Sequence, residues 1–139
     1  MAYPTSAADI IDILGMERYQ PAGWYSLHYS DRELRGTPNL SSMYILLTRD
    51  DPLPLHKLGG LEIWHHHGGA NAEIVVSNGS EGAELCLLGT DMVAGQRQQL
   101  AILAYSWRSC RSLGDWTLFG CTMSPGYSPR TTLVLSADD

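Results

Sequence analysis

Four of the five histidines in this 139-residue chain, His56, His65, His66 and His67, fall in one short stretch, and a carboxylate, Glu62, lies among them. Imidazole and carboxylate are the usual partners for general acid–base work and for holding a divalent metal. The run Glu62-Ile63-Trp64-His65-His66-His67 reads as a strand, so successive side chains face opposite sides. Glu62, Trp64 and His66 then share one face, and Ile63, His65 and His67 the other. The three adjacent histidines cannot all reach one metal unless a bulge intervenes. Taken singly, each histidine reads as structural; the cluster with Glu62 and Trp64 reads as a site.

Aromatic residues form the second chemical signal. Trp24, Tyr25, Tyr44, Trp64 and Trp107 are able to stack a flat ligand in a pocket, or to fill a core. The chain has a single Phe, so several of these rings must do core work in either case. Nucleophile elbows, P-loops and dinucleotide fingerprints are missing. The three cysteines, Cys86, Cys110 and Cys121, are odd in number and form no Cys-x-x-Cys. Cys86 and Cys121 sit in apolar runs and read as buried; Cys110 follows a turn-like stretch and reads as the most accessible.

The elements that must carry these residues are mostly strands. One helix is legible: Ser6 caps it with Asp9 three residues on, Ile10, Ile13 and Leu14 recur on one face, and Gly15 stops it. Beyond it, short β-branched and aromatic runs alternate with Gly, Pro, Asn and Asp. Strands are expected near Trp24–Ser30, Ser42–Thr48, Leu61–His67, Glu73–Ser77, Glu84–Leu88, Gln99–Tyr105, Trp116–Met123 and Thr131–Ser136. Ser77-Asn78-Gly79-Ser80 is a turn signal, because Asn-Gly tolerates positive φ. The pattern predicts an all-β single domain over 1–139: a barrel, jelly roll or sandwich with a short N-terminal helix.

Charge and hydropathy narrow the partners. Nine Lys and Arg against fifteen Asp and Glu give a net charge of −6, with no basic stripe to follow a phosphate backbone, so no nucleic acid is expected. No apolar run is long enough for a membrane span. Met1 to Ser6 lacks the basic-then-apolar pattern of a leader, and the expected compartment is the cytoplasm.

Several stretches resemble the cupin superfamily and, within it, the cupin-5 family. They are Ala8 to Met16 followed by Gln20 to Tyr25, Met43 to Thr48, His56 followed by Glu62 to His67, Leu88 to Asp91 followed by Ala94 to Arg97, and Leu118 to Tyr127. In order and spacing they cover nearly the whole chain. The resemblance implies a cupin-type jelly-roll β-barrel, a homodimer, and a small-molecule pocket inside the barrel. It does not imply one reaction, since cupins include epimerases, isomerases, decarboxylases, oxygenases and binding proteins.

The departures from the family matter more. A metal-binding cupin resembles His-x-His, then Glu, then a later His. Here His56 and Glu62 fit, Leu58 stands at the second His, and the later His falls near Arg108. No cofactor is favoured; a divalent metal, if held, would use His56, Glu62 and His67. The expected function is a metal-independent small-molecule enzyme, an isomerase, epimerase, cyclase or dehydratase acting on a specialised, secondary-metabolite type of substrate. Glu62, His65, His67 and His56 are its expected acid–base residues. Trp24, Tyr25, His28, Tyr44, Trp64, His66, Trp107 and Arg108 are expected to line the substrate pocket, with Arg108 on a developing oxyanion. The alternatives are a metal-dependent cupin oxygenase and a non-catalytic small-molecule-binding cupin.

Overall fold

The computed structural model describes residues 6–31, 37–77, 82–128 and 133–134. Its one helix, α1 (Ala7–Leu14), begins where expected: Ser6 accepts a hydrogen bond from the Asp9 backbone at 3.2 Å. It ends on Gly15 at φ 59, a left-handed cap that glycine adopts without penalty. The buried face differs from the expected one. Ile10 is buried with Ala7, Ile11 and Leu14 around it, whereas Ile13 is 67 % exposed. The stripe runs along positions 7, 10, 11 and 14, and position 13 lies off it.

Eleven strands follow among the described residues: β1 (Glu17–Arg18), β2 (Trp24–Ser30), β3 (Ser41–Thr48), β4 (Leu53–Lys57), β5 (Leu61–Gly69), β6 (Ala72–Ser77), β7 (Ala83–Leu88), β8 (Gln99–Ile102), β9 (Trp107–Ser112), β10 (Trp116–Ser124) and β11 (Leu133–Val134). They make two antiparallel sheets, ordered β1-β2-β3-β10-β5-β8 and β11-β4-β9-β6-β7. The inner faces meet over a core that includes Met43, Ile45, Leu47, Trp64, Ile74, Ile102, Phe119 and Cys121. Trp64 and Phe119 stack there with ring centroids 4.7 Å apart. This is the jelly-roll architecture, with α1 on the outside of the larger sheet, packed on Leu46.

Three strands, β1, β4 and β9, carry no clear signal in the sequence, and β1 has only two residues. β4 contains Pro54, which removes a ladder donor. β9 reads Trp-Arg-Ser-Cys-Arg-Ser, and its inward positions are Arg108, Cys110 and Ser112, all buried. The expected turn at Asn78-Gly79, and most of the expected strand Thr131–Ser136, lie outside the described residues. Cys110 is buried at 2 % exposure and Cys86 is the half-buried cysteine, the reverse of the expected order. Alternation across β9, and not the turn before it, decides the burial of Cys110.

Candidate functional site

Alternation along β5 sorts the histidine-rich segment as expected. Glu62 and Trp64 point into the barrel at 3 % and 2 % exposure. The register against β10 is regular from Leu61 to His66 and shifts only between Leu118 and Phe119, so no bulge intervenes between Glu62 and His65. His65 is therefore on the outer face, separated by the sheet from Glu62, and His67, the residue that the shift skips, packs on the same face beside His65 and over Gly120. The expectation that they share a cavity with the carboxylate is corrected by this register.

Inside the barrel, Glu62 is held from two sides. Its Oε1 accepts a hydrogen bond from Arg108 Nη1 in an ion pair whose partners are 0 % and 5 % exposed at the side chain. Its Oε2 accepts from the Cys121 thiol at 2.6 Å. Arg108 spends its remaining donors on the chain. Nε and Nη2 reach the Ser106 carbonyl at 3.2 and 3.0 Å, and Nη2 reaches the Leu103 carbonyl at 3.0 Å. Tyr105 stands between those carbonyls at φ 66, with its N–H donating to Leu58 O at 2.8 Å. The short β8–β9 connection is thus folded around the guanidinium.

His56 completes the interior. It is 1 % exposed, faces Arg108 across the β4–β9 register, and donates through Nδ1 to the Pro54 carbonyl at 2.8 Å. Burial pushes the His56 imidazolium down; the carbonyl of Pro54 and the charge of Glu62 oppose this in part, and the Arg108 charge adds to it. A histidine whose folded pKa is lowered binds its proton more tightly in the unfolded chain. Its stabilising effect is complete above the unfolded value of about 6.5 and is lost as pH falls below it. Urea midpoints are expected to stay level from about pH 8 to 6.5 and then decline, with a shallower decline in His56→Gln.

Burial and the neighbouring Glu62 together raise the Cys121 thiol well above its ordinary value, against a smaller lowering by Arg108 and the Trp64 indole. Cys121 is therefore a protonated donor. Tyr19 is raised well above the usual phenol by burial, then by Tyr127, Glu62 and Cys121. Its ring packs on Tyr127 at 6.0 Å and on Tyr25 at 5.6 Å. Tyr25 and Tyr127 in turn line a cavity of about 500 Å³ at the barrel mouth, together with Glu17, Ser26, Ser41 and Met43. Glu62 does not line that cavity; Tyr127 does, and Tyr19 packs against it within the core.

The other expected residues are dispersed. His28, Tyr44, His65 and His67 surround a groove of about 290 Å³ on the outer face of the larger sheet. The His65 and His67 rings lie 6.3 Å apart, and Tyr44 is 5.7 Å from His67. Gly120 floors the groove, since a Cβ there would meet His67 Nε2 at 2.6 Å. His66 hydrogen-bonds the Ala70 carbonyl through Nε2 at 3.0 Å, and its Nδ1 is buried without a partner. Trp24 packs beside α1 with Arg18 over its ring, and Trp107 carries Lys57 Nζ at 5.0 Å on the outer face of the smaller sheet. Sequence patterning missed Glu17, Tyr19, Cys121 and Tyr127, because edges, loops and an apolar run hold them.

The donor set does not fit a resident metal. His56, Glu62 and His67 do not converge, because His67 is across the sheet. Both Glu62 oxygens are engaged, a guanidinium lies against them, and Leu58 contributes only a buried apolar side chain. Among the described residues no group of three His, Cys, Asp or Glu side chains is arranged to hold a metal ion.

The family model described as Cupin superfamily (DUF985), Cupin_5, matches residues 8–134. The chain belongs to the Cupin_5 family. Its fold is close to that of a Shewanella oneidensis protein solved by X-ray crystallography, with TM-score 0.90 and 26 % identity over 97 % of this chain and 87 % of that one. A hypothetical protein from Leishmania major matches at TM-score 0.84 and 19 % identity, over 95 % and 88 % of the two chains. Oxalate decarboxylase from Bacillus subtilis matches at TM-score 0.67 and 18 % identity, over 85 % of this chain and 29 % of the enzyme. No curated protein matches this Cupin_5 chain. Among the described residues no helix is long and apolar enough to cross a membrane.

Proposed function

We propose that this Cupin_5 protein is a metal-independent acid–base enzyme, an isomerase, epimerase, cyclase or dehydratase, on a small organic substrate bound at the barrel mouth. One observation carries the reading: a cavity of about 500 Å³ is lined by Tyr25 and Tyr127, and Tyr19 packs on both rings with the charge of the buried Glu62 felt at its phenol. The cavity size suits a metabolite. Tyr25 donates to a substrate carbonyl oxygen; Tyr127 O takes the proton from the carbon beside that carbonyl while passing its own through Tyr19 to Glu62, and the reverse transfer returns a proton to the substrate and leaves every phenol protonated. His65 and His67 have no part in this chemistry. The Bacillus subtilis enzyme has Mn(II) centres; the interior of this chain does not supply a fitting ligand set, so no metal step is invoked. The family resemblance supports a homodimer, and three free thiols support the cytoplasm.

A second reading, a non-catalytic binding protein, is favoured by the engagement of both Glu62 oxygens. Deuterium exchange separates the two. In D₂O, a panel of small ketones, keto acids and aldoses is followed by NMR for label at the carbon beside the carbonyl. Exchange that falls at least about 100-fold in Glu62→Gln and in Tyr127→Phe supports the enzyme. Exchange unaltered in both folded variants rejects the proposed roles, and binding of a panel member without exchange favours the second reading.

A further inference from the structure

The two residues of β1 point opposite ways, as strand neighbours do. Glu17 stands in register with Tyr25 and lines the mouth cavity with it, whereas Arg18 stands in register with Trp24, which packs beside α1 on the outside. The Arg18 guanidinium is spent there, 5.0 Å from the centre of the Trp24 ring and 3.0 Å from Asp51. The described residues that line the cavity therefore include a carboxylate and no Lys, Arg or His. We infer that the mouth, taken as the substrate site proposed above, selects a positively charged substrate, a small amino-carbonyl compound whose ammonium group lies beside Glu17 and the rings of Tyr25 and Tyr127.

Three features of the lining act in the same direction. The Glu17 carboxylate attracts an ammonium group and repels a carboxylate or phosphate. Aromatic rings attract a cation over their faces, and two phenol rings line this cavity. Gly15, the C-cap of α1, lines it as well, and the last turn of that helix carries no basic residue, so the negative end of the helix dipole is left unanswered there. The Ser26 hydroxyl is committed to the Leu14 carbonyl at 2.9 Å and is not free to hold an anion. An ammonium group at Glu17 also bears on the phenol beside it. Burial, then the bond to Glu17 and its charge, raise the Tyr25 phenol, which donates to Glu17 Oε2 at 3.3 Å. A substrate ammonium takes over that oxygen and releases the Tyr25 hydroxyl to donate to the carbonyl of the same molecule.

The test uses three probes of similar size that differ in charge: tetramethylammonium, tert-butanol and pivalate. Binding to the full chain is read from broadening of each probe's methyl resonance. Tetramethylammonium is expected to bind at least about tenfold more tightly than tert-butanol, with pivalate weakest. Glu17→Gln is expected to remove the preference and Glu17→Lys to turn it toward pivalate. Glu17 is exposed, so both variants should fold, and circular dichroism checks this. Pivalate binding as tightly as tetramethylammonium overturns the inference, as does a cation preference unchanged in folded Glu17→Gln, or no binding of any probe. Deuterium exchange keeps this result apart from the acid–base reading. Exchange confined to anionic keto acids rejects the charge selection and leaves the enzyme standing. A cation preference lost in Glu17→Gln, without exchange in any amino ketone or other panel member, keeps the selection and rejects the enzyme.

Discussion

Arg108→Met is expected to destabilise the protein by about 3–5 kcal/mol, read as a drop in the urea midpoint, because it strands the Glu62 carboxylate inside the barrel. The pair is buried on both sides and joins the two sheets. Its formation energy is a poor guide to this loss, since desolvation cancels much of the attraction; the large term is the uncompensated charge left behind. The double variant Glu62→Leu/Arg108→Met removes both charges and is expected to recover most of the loss. It recovers less than all, because the Leu103 and Ser106 carbonyls and the Cys121 thiol lose their partners. Equal losses in the single and double variants would show that volume, not charge, dominates at this position.

Gly69→Ala is expected to cost roughly 2–5 kcal/mol, combining a left-handed backbone penalty of about 1–2 with overpacking of about 1–3. Gly69 ends the histidine-bearing strand at φ 76, and a Cβ there would lie 2.5 Å from both the ring and the carbonyl oxygen of Trp116. That carbonyl already accepts from Ala70 N at 2.9 Å and so cannot retreat freely. Gly95→Ala provides the control: φ is 91, yet nothing lies within 4 Å of the added carbon. It should show the backbone penalty alone, and the difference in thermal midpoint between the two variants measures the clash. Equal effects would mean that Trp116 gives way.

What the sequence made legible, and what it hid, follows from how far each signal reaches. The α1 helix was visible because Ser6, Asp9 and Gly15 act within a few residues. The inward placement of Glu62 and Trp64 was visible because a strand alternates every two residues. The same rule already set His65 and His67 on the opposite face, and the expected catalytic grouping went against it. The partner of Glu62 was not legible, because Arg108 lies 46 residues away on a strand, Trp-Arg-Ser-Cys-Arg-Ser, whose inward positions are not an apolar series. The mouth was equally hidden. Tyr19 and Tyr127 come from connections with no periodicity, one after β1 and one after β10, and only the assembly of the larger sheet brings them together.

The cradle around Arg108 also bears on how this barrel comes apart. Its guanidinium bonds the β8–β9 connection, which passes from the larger sheet to the smaller, and it reaches β5 only after both sheets have closed. Contacts of such long sequence separation form late, after most loop-closure entropy has been lost. Interactions absent from the transition state slow escape from the native basin while leaving the speed of assembly nearly untouched. The arginine is therefore expected to act as a latch on lifetime: Arg108→Met should speed unfolding more than it slows refolding.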